Sequence, residues 1–282
     1  MHRAIEPQRA SQPAGPRGGD RAGEPLPVDG VRGGRVWALA GAYVATQAAV
    51  FAARADDWWF TPTTSFHASW DRSANKEQDG LLHMAIAYEA SQITAFAWDW
   101  ACVNYTTAGW LGAATAVAIN IPKEIGDGLH EERSFSLRDM TWAVTGAVLP
   151  ALHRSVPASR NVVLKFGYWP SDEFQNRLPG ALPQLENDYA GQRYYLVFAP
   201  GRYAGPPEQR WRSPIGIAVG HSIQSWILER PMHEWYLTLD AQFRGIPIRG
   251  ETWQKIATVL DQIHFPLPGI RLRDGDVSFG FF

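Results

Sequence analysis

The sequence predicts an α+β protein, in which an N-terminal helical bundle with one membrane helix is followed by a β-rich, mainly antiparallel C-terminal domain. Two observations support this fold class. Apolar residues recur with helical spacing in the first half of the chain, whereas beyond Ser155 they alternate with the period of two that is typical of strands. We therefore expect a disordered tail at 1–35, a bundle at 36–155 and a β-rich domain at 160–282.

Composition limits the classes of protein that fit this chain. With 282 residues, of which 45% are apolar, the chain can bury a sizeable core. The formal net charge of −2, without a basic stripe, gives no reason to expect nucleic acid as a partner. Cys102 is the single cysteine, which excludes an intrachain disulfide and a thiolate metal site. The 13 Trp and nine Tyr suit a membrane or protein interface, and equally an ordinary aromatic core.

The N-terminal region divides into a tail and an apolar helix. Residues 1–35 contain seven Gly and five Pro, and such a segment cannot bury enough surface to offset the entropy of ordering. Residues 36–54 then form an apolar stretch that is just long enough to cross a bilayer. Arg32 and Arg35 precede it and favour a cytoplasmic N-terminus. We expect a transmembrane signal anchor here.

A cleaved signal peptide is the alternative for the same segment. Ala53, Arg54 and Ala55 have the small-x-small form of a signal-peptidase site. The aromatic run at 58–60 favours the anchor, because it would lie at the membrane interface after the helix. Both interpretations direct the chain to the cell envelope.

Helical periodicity predicts three further helices in the bundle, at 81–103, 107–121 and 137–153. The first two are joined by a few residues and should be antiparallel neighbours. Pro122 is expected to end or kink the second of them.

The C-terminal half reads as a small antiparallel sheet with one helix. Half-buried strands are predicted at 162–168, 192–198, 214–223, 235–243 and 276–282, and the helix at 251–263. The final Phe281 and Phe282 resemble the last strand of outer-membrane barrels. Five strands, however, are fewer than the roughly eight that close such a barrel in one chain.

Polar residues interrupt the apolar helices at three places between 79 and 139. The spacings put neighbouring members on one helical face, because residues three or four apart share a face. Burying such groups costs several kcal/mol unless they are paired. The candidate polar cluster consists of Asp79, His83, Lys123, Glu124, Asp127, Ser136 and Asp139.

Two hypotheses account for the cluster. In the first, it is a site that transfers protons to a lipid-linked substrate or binds a divalent metal, with His83, Glu124 and Asp127 as ligands and Asp139 beside them. In the second, it is an internal network. Lys123 then pairs with an acid, His83 donates to Asp139 or Glu124, and Ser136 caps a helix. Spacing alone leaves both hypotheses open, and no cofactor other than a divalent metal is expected.

Three sequence blocks carry a family resemblance. EQDGLLHMAIAYEAS, IPKEIGDG and FSLRDMTWAVTGA resemble, in order and rough spacing, the YfiM-type family of predicted bacterial envelope lipoproteins, and more distantly the VanZ-like membrane proteins. The matching positions are Asp79, His83, Lys123, Glu124, Asp127, Ser136, Asp139, Gly146 and Ala147. Flanking segments extend the resemblance over about 36–282. The chain departs from the family pattern at Gly80, where Lys is usual, and at Ala143, and Cys102 does not form a lipobox.

The resemblance implies a compartment more than a reaction. It implies a bacterial cell-envelope protein that is anchored in the membrane, with its bulk on the periplasmic side. We expect a structural or accessory protein, with the membrane and other envelope or membrane-complex proteins as partners. The alternative is a membrane-associated enzyme or metal-binding protein that acts on lipid or cell-wall precursors through the His, Glu and Asp side chains.

Overall fold

The computed structural model describes residues 30–53, 55, 63–70, 77–177, 188–200, 213–224, 232–248 and 250–282. Most of the predicted tail, Arg54 of the small-x-small motif and the aromatic run at 58–60 lie outside these residues. The predicted fold class is confirmed, because the first half is helical and the second half contains an antiparallel sheet.

Four long helices form the first half: α1 (Gly33–Ala53), α2 (Gln78–Trp100), α3 (Tyr105–Gly128) and α4 (Leu137–Ser155). Two short parallel strands, β1 (Ala68–Ser69) and β2 (Phe135–Ser136), lie beside them. Helix α1 begins three residues earlier than predicted, and no residue of it is buried. It is the one helix in the described residues that is long and apolar enough to cross a membrane.

Helices α2, α3 and α4 pack closely because their contacts are made by small residues. A Cβ atom on Gly112 would lie 2.7 Å from the Ser91 carbonyl oxygen, and one on Gly146 would overlap the backbone of Met84. The buried core of the bundle consists of Ala87, Ala113, Ala116, Ala143, Ala147 and Ala151. Backbone proximity therefore replaces the usual large apolar side chains.

The sequence predicts that α3 ends or kinks at Pro122. The predicted end is wrong, because α3 continues to Gly128. Proline removes the amide that would bond the carbonyl four residues earlier, which is that of Ala118. The Tyr43 hydroxyl of α1 donates to this carbonyl at 3.1 Å. A contact from another helix thus satisfies the carbonyl, and sequence periodicity cannot foresee it.

The second half is a six-stranded antiparallel meander in chain order, with two short helices, α5 (Asp172–Arg177) and α6 (Glu251–Leu260), in its connections. The strands are β3 (Val162–Tyr168), β4 (Gln192–Phe198), β5 (Ile215–Ile223), β6 (His233–Ala241), β7 (Pro268–Arg273) and β8 (Asp276–Phe281).

Strand β7 was not predicted, although the sequence contains a signal for it. Asp274 and Gly275 join β7 to β8 with φ angles of 46° and 88°, the positive values of a type I′ hairpin turn. An Asp-Gly pair between alternating residues is a strong hairpin signal. A hairpin turn at this pair implies a strand before it as well as after it, which brings the strands of the sheet to six.

The sheet curls around one face. Lys165 on β3 and Asp240 on β6 are three strands apart, which is about 14 Å or more in a flat sheet. Their side-chain atoms Nζ and Oδ2 are nevertheless 2.7 Å apart and fully buried. We call the face with these two residues the concave face, and the opposite one the convex face.

Candidate functional site

The polar cluster lies where three helix ends meet. Asp79 and His83 occupy the first turns of α2, and Glu124 is in the last turns of α3. Ser136 is the N-cap of α4, where its Oγ accepts a hydrogen bond of 3.1 Å from the Asp139 amide. The structure therefore brings the three sequence blocks together.

One half of the cluster is fully paired. The Lys123 Nζ atom lies 2.9 Å from Glu124 Oε1 and 3.2 Å from Asp127 Oδ2. Arg133 contacts Asp127 at 3.0 Å, and the Ser136 amide donates to Glu124 Oε2 at 3.0 Å. Burial lowers the pKa of Lys123, but the charges of Glu124 and Asp127 outweigh it and raise the pKa above its usual value. This half holds α3 to the start of α4.

The other half brings an imidazole close to two carboxylates. Asp79, His83 and Asp139 each offer one ligand atom, and these atoms all lie within 4.8 Å of one another. The Tyr189 hydroxyl donates to Asp79 at 3.2 Å. Burial, and then the charge of Asp79, raise the pKa of the Asp139 carboxyl, although His83 and Ser136 oppose them. We call these three residues the Asp–His–Asp triad.

The triad changes the candidate ligand set that the sequence predicts. His83 stays in it, but Glu124 and Asp127 are engaged by Lys123, Arg133 and a backbone amide. The Lys123 ammonium lies 3.5 Å from His83 Nε2, so a metal ion at the triad would compete with a cation that is already close.

The predicted internal network is confirmed in two of its three contacts. Lys123 pairs with acids and Ser136 caps a helix. The predicted donation by His83 differs, because its Nε2 atom is 4.0 Å from Asp139, which is too long for a hydrogen bond. The His83 ring instead lies within hydrogen-bond distance of Lys123, whose Nζ atom is 3.5 Å from Nε2.

Both departures from the family pattern have a packing explanation. A side chain at Gly80 would overlap the Trp142 indole, whose Nε1 atom donates to Glu77 at 3.3 Å. Ala143 is buried in the alanine core of the bundle, where a polar side chain would have no room. Trp142 thus takes the space that a lysine at position 80 would need.

A second buried polar group was not predicted. His264 Nδ1 lies 2.7 Å from Asp240 Oδ1, its Nε2 atom lies 2.9 Å from the Phe282 carbonyl oxygen, and its ring stacks on Tyr195. Together with Lys165 these residues fill the concave face. The sequence gives only a weak indication of this group, because each of its polar residues stands alone in a strand or loop.

Among the residues that the structure describes, two cavities lie outside the cluster. The larger, of about 820 Å³, is an apolar groove between α4 and strands β3–β6; the smaller, of about 270 Å³, is lined by polar residues such as Glu89, Arg154 and Asp261. Neither is lined by a member of the Asp–His–Asp triad. Asp79 and Asp139 are nevertheless partly exposed, and His83 between them is buried.

No protein-family model matches this chain, no curated protein matches it, and no solved structure matches it. The resemblance to the YfiM-type and VanZ-like families therefore stays a prediction from the three sequence blocks.

Proposed function

We propose that this protein is a membrane-associated component of the bacterial cell envelope with a structural or accessory role. The observation that carries the proposal is α1, which spans 21 residues and is apolar enough to cross a bilayer, yet has no buried residue. An apolar core helix of a water-soluble protein would be mostly buried. The absence of burial supports a membrane segment, and a signal sequence near the N-terminus has the same length and composition.

The helical bundle supports the same proposal. Large apolar side chains on its outer surface are exposed, including Ile93, Phe96 and Trp110. Asp99, a charge that lipid would not tolerate alone, is bound by Arg154 through two contacts of 2.8 Å. The bundle thus presents large apolar side chains outward and pairs Asp99 with Arg154, which suits the interior or the interface of a membrane.

A structural role follows from the paired state of the polar cluster. Glu124 and Asp127 have cationic or amide partners, and neither of the two described cavities is lined by a triad residue. A catalytic centre binds its substrate in a cavity that its reactive groups line, whereas a network that fixes the helix ends needs none. The bundle therefore favours an accessory protein over an enzyme.

Membrane association is tested by charging α1 in the full chain. Val44→Arg and Val50→Arg together should move the protein from the membrane fraction to the soluble or aggregated fraction, since arginine at the helix centre, where Val44 lies, costs about 2.5–3.5 kcal/mol on insertion. Thr252→Arg, an exposed position on α6, is the matched control and should remain in the membrane fraction.

Carbonate extraction measures this partition, and the intact mass separates an anchor from a signal peptide. An anchor leaves the chain uncleaved. An intact mass that corresponds to a chain beginning after Ala55 supports a cleaved signal peptide. If the unsubstituted chain appears in the carbonate supernatant, the proposed membrane association is wrong.

A second function, divalent-metal binding, is favoured by the Asp–His–Asp triad. One imidazole and two carboxylates suit Zn²⁺, Mn²⁺ or Fe²⁺, and the pairing of Glu124 and Asp127 with Lys123 leaves the triad carboxylates as the surplus negative charge. Metal content and calorimetric titration with Zn²⁺ or Mn²⁺ test it.

The unsubstituted chain should bind, His83→Gln and Asp139→Asn should bind far less, and His67→Gln, an exposed histidine outside the triad, should bind as the unsubstituted chain does. Equal binding by His83→Gln would assign the metal elsewhere.

A further inference from the structure

We infer that the convex face of the sheet is a lipid-contact surface, and that its occupant is the acyl chains of a bilayer. The inference deepens the proposed membrane association and rests on it. It assigns to the sheet a second point of contact with the membrane, separate from α1.

The first observation is the separation of charge between the two faces. In strands β3–β8 the pairing register places every Lys, Arg, Asp and Glu on the concave face, including Lys165, Glu234, Asp240 and Arg271. The convex face has none of these residue types; its polar side chains include the buried Gln192 and the pair His221 and His233, whose ring nitrogens are 2.8 Å apart. A sheet in a water-soluble protein has the reverse arrangement, with the apolar face on the core.

The second observation is the continuity of the apolar surface. The register aligns one row of apolar side chains across the six strands: Leu164, Leu196, Val219, Leu237, Ile270 and Phe279. Leu164 at the β3 end of the row is buried, the middle of the row is about half exposed, and Phe279 at the other edge is 80% exposed. Single exposed apolar residues are common on protein surfaces, whereas a contiguous row of them marks an interface.

The concave face fixes this orientation. Lys165 and His264 both bind Asp240, and the Tyr236 hydroxyl donates to Glu234 at 2.5 Å. Slipping a strand by one residue would exchange the two faces and separate these buried charges. The apolar side chains of the convex face therefore cannot move to the concave face by a shift of register.

Curvature favours lipid over a second copy of the chain. Two convex faces touch along a narrow line, so a copy would leave much of the row uncovered, whereas acyl chains follow a curved surface. The apolar groove of about 820 Å³ opens on the same face, with Leu149, Leu152 and Leu196 in its walls. Flexible chains can fill such an irregular space.

Strand length is also compatible with lipid. Strands β5 and β6 each have nine residues. At about 3.3 Å per residue they extend about 30 Å, enough for a broad contact with the membrane surface; an open sheet does not cross the hydrocarbon core, because its edge groups would be unpaired there. Alternation of apolar outward and polar inward side chains is the pattern that strands in contact with lipid adopt.

Environment-sensitive labels on the full chain test the inference. In a Cys102→Ala background, single cysteines at Leu196, Leu237 and Phe279 report on the convex face, one at Val44 reports on α1, and one at Glu131 reports on an exposed polar loop. Each protein is labelled with a nitrobenzoxadiazole fluorophore and reconstituted in phosphatidylcholine–phosphatidylglycerol vesicles, with or without bromine on the acyl chains.

Brominated lipid should quench the three sheet labels as strongly as the Val44 label, and leave the Glu131 label unchanged. Quenching at Val44 without quenching on the sheet overturns the inference and leaves the proposed membrane association intact. Quenching at neither place, with the protein absent from floated vesicles, overturns both. Sheet labels that are shielded from both aqueous iodide and brominated lipid would assign the face to a protein partner and overturn the inference.

A second measurement uses the unsubstituted chain, so it does not depend on how the cysteine variants fold. Vesicles that contain phosphatidylcholine with a diazirine at the acyl terminus are irradiated, and the cross-linked peptides are identified by mass spectrometry. Adducts in the peptides of β4, β5 and β6 support the inference. Adducts confined to α1 and the bundle contradict it.

Discussion

The helical bundle and the curled sheet both bury charged side chains, but they balance the charge differently. The sheet pairs Lys165 and His264 with Asp240 inside a face that is closed to solvent. In the described residues, the polar cluster of the bundle sets four carboxylates, Asp79, Glu124, Asp127 and Asp139, against the two cations Lys123 and Arg133. The charge of Asp240 in the sheet is therefore matched, whereas the cluster can still accept a cation.

The largest expected effect is the loss of the buried charge pair in the sheet. Asp240→Asn keeps the shape of the side chain but leaves Lys165, which has a fully buried side chain, without its counter-charge. Removing one partner of a buried pair destabilises by about 3–5 kcal/mol. Urea unfolding in detergent, followed by circular dichroism, measures the change in the free energy of unfolding.

Asp276→Asn is the matched control for this prediction. Asp276 lies on the same face of the sheet, but at its exposed rim. We expect a change within about 0.5 kcal/mol, as for most surface substitutions. Equal losses from the two variants would mean that burial of charge does not distinguish the sheet interior from its rim.

The same contrast explains which features the sequence could predict. Helix positions, the α+β order and the convergence of Asp79, Glu124 and Ser136 follow from local periodicity and from the order of the blocks, because helix ends joined by short loops meet in space. The pairing of Lys165 with Asp240 does not follow, because it depends on how far the sheet curls. Curling is a property of six strands together.

The sequence also could not predict that the polar side chains of each strand are the buried ones. Alternation identifies two faces without saying which one is covered. Trp235 and Leu237 are about half exposed on the convex face, while Tyr236 and Asp240 on the concave face are buried. Sequence periodicity is identical for a sheet in water and for one that faces lipid. Which face is covered depends on the surroundings of the folded sheet, which the alternation does not contain.

A smaller effect is expected from steric change in the bundle. Gly146→Ala places a methyl group against the Met84 backbone, which cannot move aside as a flexible side chain would. Overpacking of this kind destabilises by about 1–3 kcal/mol. Gly41→Ala in α1 is the matched control, because no atom lies within 4 Å of the new Cβ atom. It should be neutral, or stabilising by up to about 1 kcal/mol, since alanine favours helix more than glycine does.

Thermal unfolding of the two alanine variants under identical conditions measures this difference. A lower midpoint for Gly146→Ala alone would show that the bundle depends on close approach of its backbones, as the sheet depends on charge. Equal midpoints would contradict the close contact between α2 and α4.

The smallest expected effect is on the pH dependence of stability, because the two regions respond to acid in opposite directions. Burial raises the pKa of Glu89 in the bundle to about 7, from an ordinary value of 4.5. Burial, and then the neighbouring His233, lower the pKa of His221 on the sheet to about 4, from 6.5.

The raised Glu89 pKa contributes stability that is complete below about pH 4.5 and is lost as the pH rises through about 7. The lowered His221 pKa contributes stability that is complete above about pH 6.5 and is lost as the pH falls through about 4. The two trends oppose each other between these limits, so the unsubstituted chain should have a shallow pH profile.

Single substitutions should separate the two trends. Glu89→Gln removes the group that favours acid, so the melting temperature should then fall as the pH decreases from about 6.5 to 4. His221→Gln leaves the opposite slope, in which the melting temperature falls as the pH rises from about 4.5 to 7. Slopes of the same sign in both variants would mean that one region controls the pH response of the whole molecule, and that bundle and sheet do not titrate independently.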